Sequence, residues 1–164
     1  MYPSPVVPSM TNAVERYLAP SMYVDRDHPA VERKAKELAR GLSNDAEIAE
    51  RCFLSVRDEV LHSVDHRMGP VTLKASEVLE HRTGFCYAKS HLLAALLRAN
   101  GISAGLCYQR LALDDLGTRF CLHGLNAVHL KGHGWYRVDA RGRTMARSAP
   151  GSPRRGRCCP SPRS

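Results

Sequence analysis

TGFCYAKSHLLAALLRANGI, residues 83–102, opens with a glycine and a cysteine and then turns apolar on nearly every face. From Cys86 onward Ala88, Leu92, Ala95, Leu96 and Ala99 alternate with Leu93 and Leu97, so apolar side chains cover most of a helical circumference. Such a helix is buried on all sides and sits at the centre of its domain. Asn100-Gly101 ends it. Its first turn carries a thiol, with no second cysteine near enough in sequence to pair with it or to share a metal.

The chain around this helix has 164 residues, the size of one domain that can bury a core without disulfide or metal staples. Pro29 suits the first position of a helix over 30–40, with Asp25 or Asp27 at its positive end and Gly41 as its stop. A second helix spans about 45–60. Asn44 and Glu47 resemble a capping box there, and Ala49, Cys52, Phe53, Val56 and Val60 form a core-facing stripe. Cys52 in that stripe reads as a small hydrophobe. A short helix over 75–80 leads into the central one. Ahead of all of these, 17–24 (YLAPSMYV) reads as a short edge strand.

After Gly101 the period changes. SAGLCYQRL (103–111), HGLNAVHL (123–130) and WYRVD (135–139) have the length and composition of strands, and KGHG closes a hairpin between the last two. Residues 1–16 read as a flexible arm, 17–140 as the domain, and 141–164 as a disordered basic tail rich in Arg, Pro and Ser.

The formal charge of +8 divides unevenly. Residues 141–164 hold seven arginines and no acidic residue, which leaves 17 basic and 16 acidic groups in the first 140. A nucleic-acid footprint would be a basic stripe on the folded face, and none precedes the tail, so no specific nucleic-acid partner is expected. No apolar run approaches the ~18–20 residues that span a bilayer. The amino terminus lacks the n-region and h-region of a secretory signal. The six cysteines contain no CxxC pair, and free thiols in a cytoplasmic setting are expected.

A thiol becomes a nucleophile where its thiolate is stabilised, and a helix amino terminus provides unsatisfied N–H groups and a positive dipole end. Gly84 permits a tight approach before the helix, and the Cys86 N–H is then free to face a developing oxyanion. A general base and a group that orients it are also required. With a turn centred near Gly132, residue 125 faces 139 and residue 123 faces 141, which makes His123 and Asp139 diagonal neighbours on one sheet face. Gln109, Asn126 and Tyr87 are polar neighbours without an assigned role. His62 and His66 follow a helix end and read as core-edge or solvated, and His129 and His133 bracket the hairpin tip. No metal site or cofactor is expected.

Together GFCYAKSHLLAALLRANGISAGLCYQ, HGLNAVHL and GWYRVDARG, with the VRDEV and KASEVL segments before them, resemble the transglutaminase-like cysteine peptidase superfamily over roughly residues 17–140. The resemblance implies an α+β, papain-like fold, with a helical front half and a central helix carrying Cys86 packed on an antiparallel sheet. It also implies that Cys86 is the nucleophile, His123 the acid/base and Asp139 the orienting carboxylate. The implied reaction is acyl transfer, as hydrolysis of a peptide, isopeptide or amide bond. The alternatives are an amine acyltransferase and a catalytically silent binding module that retains the fold. After Arg141 the chain departs from the family pattern, through truncation or an atypical tail. No oligomeric state is read from the sequence.

Overall fold

The computed structural model describes residues 10–142 and 145–146. Its front half is helical: α1 (Met10–Glu15), a 3-10 turn (Arg16–Leu18), α2 (Pro29–Ala39), α3 (Asp45–Glu59), α4 (Ala75–His81) and α5 (Cys86–Ala99). Between them β1 (Leu61–His62) and β2 (Thr83–Gly84) form a two-residue parallel pair. The back half is an antiparallel sheet in sequence order, β3 (Ala104–Ala112), β4 (Phe120–Leu130), β5 (Gly134–Val138) and β6 (Met145–Ala146). This is the expected α+β architecture.

α5 lies between the layers. Leu92, Leu93, Leu96 and Leu97 are each at most 1 % exposed, packed against α2, α3 and α4 on one side and β3 and β4 on the other. Each such leucine contributes roughly 1.5–3 kcal/mol by leaving water, which makes α5 the main organiser of the core. Polar groups fix its two ends. The Arg98 guanidinium donates twice to Ala104 O, at 2.9 and 2.7 Å, and once to Ala19 O at 2.6 Å. Lys89, 3 % exposed, donates from Nζ to the carbonyls of Arg57 and Val60, satisfying the end of α3.

Two local expectations are corrected. Residues 17–24 form no strand. Tyr17 and Leu18 complete a 3-10 turn, and the Tyr17 ring packs edge-on to Trp135 with centroids 5.0 Å apart, so aromatic content here serves packing and not pairing. The cap of α2 is the His28 side chain, which accepts from Ala30 N at 3.3 Å. Asp25 serves α4 instead, accepting from Ser76 N at 3.1 Å and Ser76 Oγ at 2.6 Å. Within the segments expected to be an arm and a tail, 10–15 is helical and Met145–Ala146 pairs with Arg137–Val138, while the rest of both lies outside the described residues. The cap of α3 is Asn44, accepting from Ala46 N at 2.8 Å.

Candidate active site

Cys86 is the first residue of α5, with Phe85 as the N-cap. Its amide N–H therefore has no intrahelical acceptor, and the positive end of the helix lies beside its half-buried sulfur. His123 lies in β4, and Asp139 is the residue after β5. The β4–β5 register sets Asn126 opposite Val138, so His123 and Asp139 are diagonal neighbours, and His123 Nε2 lies 2.8 Å from Asp139 Oδ2.

The sheet packs on the start of the helix at this point. They meet through Gly124. Its N–H donates to Cys86 Sγ at 3.4 Å, and a Cβ at this position would lie 2.8 Å from Tyr87 Cα and 3.0 Å from Tyr87 N. No other residue permits this contact between β4 and the first turn of α5. One turn further along, Asn126, fully buried, donates to Ser90 O at 2.9 Å and to Gly105 O at 3.4 Å. Asn126 thus fastens the helix to the sheet.

The charges follow from this packing. Burial pushes the Cys86 thiol up, but hydrogen bonds from His123, His62 and the Gly124 amide, with the charge on His123, outweigh it and bring the thiol down to about 5. The Asp139 carboxylate, followed by the thiolate, raises His123 to about 10 against the effect of burial. Burial pushes Asp139 up, yet its bonds to His123 and to the amides of Arg141 and Gly142 hold it below the usual carboxylate range. His123 Nε2 is committed to Asp139, which leaves Nδ1, buried and without a conventional hydrogen-bond partner, as the ring nitrogen available to the thiol. The arrangement supports a thiolate–imidazolium pair at neutral pH.

His62, expected at the core edge or in solvent, is buried at 6 % exposure and belongs to the site. The parallel pairing of His62 with Gly84 carries its ring to the start of α5, where it meets Phe85 edge-on at 5.9 Å and helps to lower the thiol. Its Nδ1 lies 3.4 Å from Asp65 Oδ2. Arg141 binds both Asp65 oxygens at 3.0 Å through Nη2, and its backbone N–H donates to Asp139 Oδ1 at 2.9 Å. A glycine inside a strand pattern marks a close backbone approach, so Gly124 had a signal in the sequence. His62 had none, because its place depends on a pairing between segments more than twenty residues apart.

The remaining candidates stand apart from Cys86, His123 and Asp139. Gln109 pairs with His123 across β3 and β4 but its side chain is exposed. Tyr87 stacks on Phe85 with centroids 5.6 Å apart. His66 is exposed, and His129 packs against Trp135. Cys52, Cys86, Cys107 and Cys121 are free thiols. Among the described residues no group of three or more His, Cys, Asp or Glu is placed to hold a metal ion, and no helix is long and apolar enough to cross a membrane.

A family model described as the transglutaminase-like superfamily matches residues 32–140. The fold is shared with a candidate cysteine protease of Cytophaga hutchinsonii, at a TM-score of 0.66 and 19 % identity over 81 % of this chain and 43 % of that one. It is also shared with the periplasmic domain of TgpA from Pseudomonas aeruginosa, at a TM-score of 0.58 and 21 % identity over 80 % of this chain and 48 % of that one. The chain thus spans less than half the length of either structure. No curated protein sequence matches it significantly.

Proposed function

The chain belongs to the transglutaminase-like superfamily, and we propose that it is a cysteine-dependent acyl-transfer enzyme that hydrolyses a peptide, isopeptide or other amide bond through Cys86, His123 and Asp139. The observation that carries this reading is the convergence of three groups from three elements: a helix-start thiol, an imidazole on β4 and a carboxylate bonded to that imidazole at 2.8 Å. In the resting pair His123 holds the proton that the thiol has lost. The thiolate attacks the amide carbonyl carbon, and the carbonyl π electrons move to oxygen, giving an oxyanion to which the Cys86 N–H donates a hydrogen bond. Collapse re-forms the carbonyl and expels the amine, which takes its proton from His123. Water then adds to the thioester, losing a proton to His123, and thiolate leaves with the acid released.

Asp139 keeps the imidazole in one orientation and favours its protonated form. Hydrolysis is favoured over cross-linking because a cross-linking enzyme must exclude water and bind a second substrate. The substrate is accordingly one amide-bearing molecule, a peptide or an isopeptide. The free state of the four described cysteines supports a reducing, cytoplasmic setting for it.

Limited alkylation with iodoacetamide below neutral pH, followed by peptide mass mapping, tests the reading. One of the six thiols, Cys86, is expected to react first and far faster than the rest. Cys86→Ala should keep the circular dichroism spectrum and abolish turnover of a peptide-amide library. Uniform labelling of all thiols, or turnover that survives Cys86→Ala, would remove the nucleophile and the reading with it.

A further inference from the structure

We propose that His62 is a second catalytic histidine: an N–H donor that holds the resting thiolate and then supplies the side-chain hydrogen bond to the oxyanion of the tetrahedral adduct. This rests on Cys86 being the nucleophile. The placement is built by the fold and not by the surface. His62 is 6 % exposed, its backbone pairs with Gly84, and the next amide, Ser63 N, donates to Gly84 O at 3.2 Å. Lys89, three residues into α5 from Cys86, donates to Val60 O two residues before His62. The strand that carries the ring is thus tied to the thiol's helix at two points.

The ring is also oriented. Phe85 covers it edge-on at 5.9 Å, and Asp65 lies 3.4 Å from Nδ1. Asp65 is itself fixed by Arg141, whose backbone N–H fixes Asp139. The two histidines therefore each face a carboxylate, and one arginine joins the two carboxylates. The buried Nδ1 of His62 has no closer partner than Asp65, which holds the ring by charge. With Nδ1 turned to Asp65, Nε2 is the nitrogen left to offer an N–H on the side of Cys86.

The chemistry follows from the place of the ring, on the strand paired with Gly84 and edge-on to Phe85, the two residues that lead into Cys86. In the tetrahedral adduct the former carbonyl oxygen is two bonds from Sγ, so a donor placed beside the start of α5 is near the oxygen as well. The Cys86 N–H is the other donor in reach. His123 is not available for this bond, because its proton goes to the leaving amine. His62 comes from a different element, so it can serve the oxygen while His123 serves the nitrogen.

Two reagents separate this role from mere support. Iodoacetamide reacts by displacement of iodide and forms no oxyanion, whereas p-nitrophenyl acetate acylates through one and its leaving group needs no proton. Both rates are measured on the full chain above the ordinary thiol range of ~8.5, where Cys86 is ionised in every variant. His62→Phe is expected to keep the alkylation rate and lose ~10²- to 10³-fold in the burst of nitrophenolate, the usual effect of deleting one oxyanion donor. His62→Gln, which keeps an N–H, should recover part of the burst. If His62→Phe does not fold, His62→Asn, polar but too short to reach the sulfur, is read by the same ratio. Equal loss of both rates, or loss of neither, overturns the proposal for His62. A wild-type chain whose Cys86 gives neither fast alkylation nor a burst overturns the reading of the nucleophile instead.

Discussion

At the scale of single residues, Cys86 at about 5 and His123 at about 10 exchange the usual order in which a thiol and an imidazole lose their protons. The sign follows directly. Below about 5 the sulfur is protonated and unreactive, and above about 10 the imidazole has no proton for the leaving amine, so amide turnover should be bell-shaped with a broad top between these values. Alkylation needs only the thiolate and should rise once, through about 5. His123→Ala removes the main bond and charge that lower the thiol, so the rise should move up toward the ordinary value near 8.5. A rise that stays in place in His123→Ala would show that the imidazole does not control the sulfur. Cys52 is the internal control, since burial pushes it up to about 12 and leaves it inert. Cys86, His123 and Asp139 were legible as residue types at telling positions. His62 was not, because a histidine after a helix end has many innocuous readings.

Among elements, the helices and the hairpin were legible because their signals are local: an apolar stripe in α3, an apolar circumference in α5, a KGHG turn whose register set His123 diagonal to Asp139. The strand expected at 17–24 failed because aromatic content alone does not distinguish a paired strand from a turn whose Tyr17 covers Trp135. Docking of β4 on α5 has no period, and its mark in the sequence is the single residue Gly124. Gly124→Ala places a methyl carbon 2.8 Å from Tyr87 Cα, against backbone that cannot rotate away. The expected cost is ~1–3 kcal/mol, with a loss of Cys86 labelling larger than global unfolding explains, since the strand must retreat from the thiol it serves. Chemical denaturation and labelling rate, measured on the same sample, check this. An alanine variant with native stability and native labelling would show that β4 and α5 are not held at the distance described.

For the molecule as a whole, the boundary near residue 141 matters because the sheet continues past it. β6 pairs with β5 at Arg137 and Val138, immediately before Asp139, and so covers an edge that β5 would otherwise leave open. Two truncations separate charge from structure. Ending the chain after Ala146 removes five arginines and brings the formal charge from +8 to +3 while β6 is kept. Heparin affinity should fall and become less salt-dependent, because the released counterions go with those arginines. Thermal stability and Cys86 labelling should stay unchanged. Ending it after Gly142 also removes Met145–Ala146 and with it the pairing at Val138. The thermal midpoint should then drop by ~2–8 °C for each kcal/mol of pairing lost. The bell-shaped turnover profile should narrow from its alkaline side, because a looser Asp139 holds less of the proton on His123. Equal midpoints and equal profiles for the two truncations would mean that β6 adds nothing to the site and that the working domain ends with the loop after Asp139.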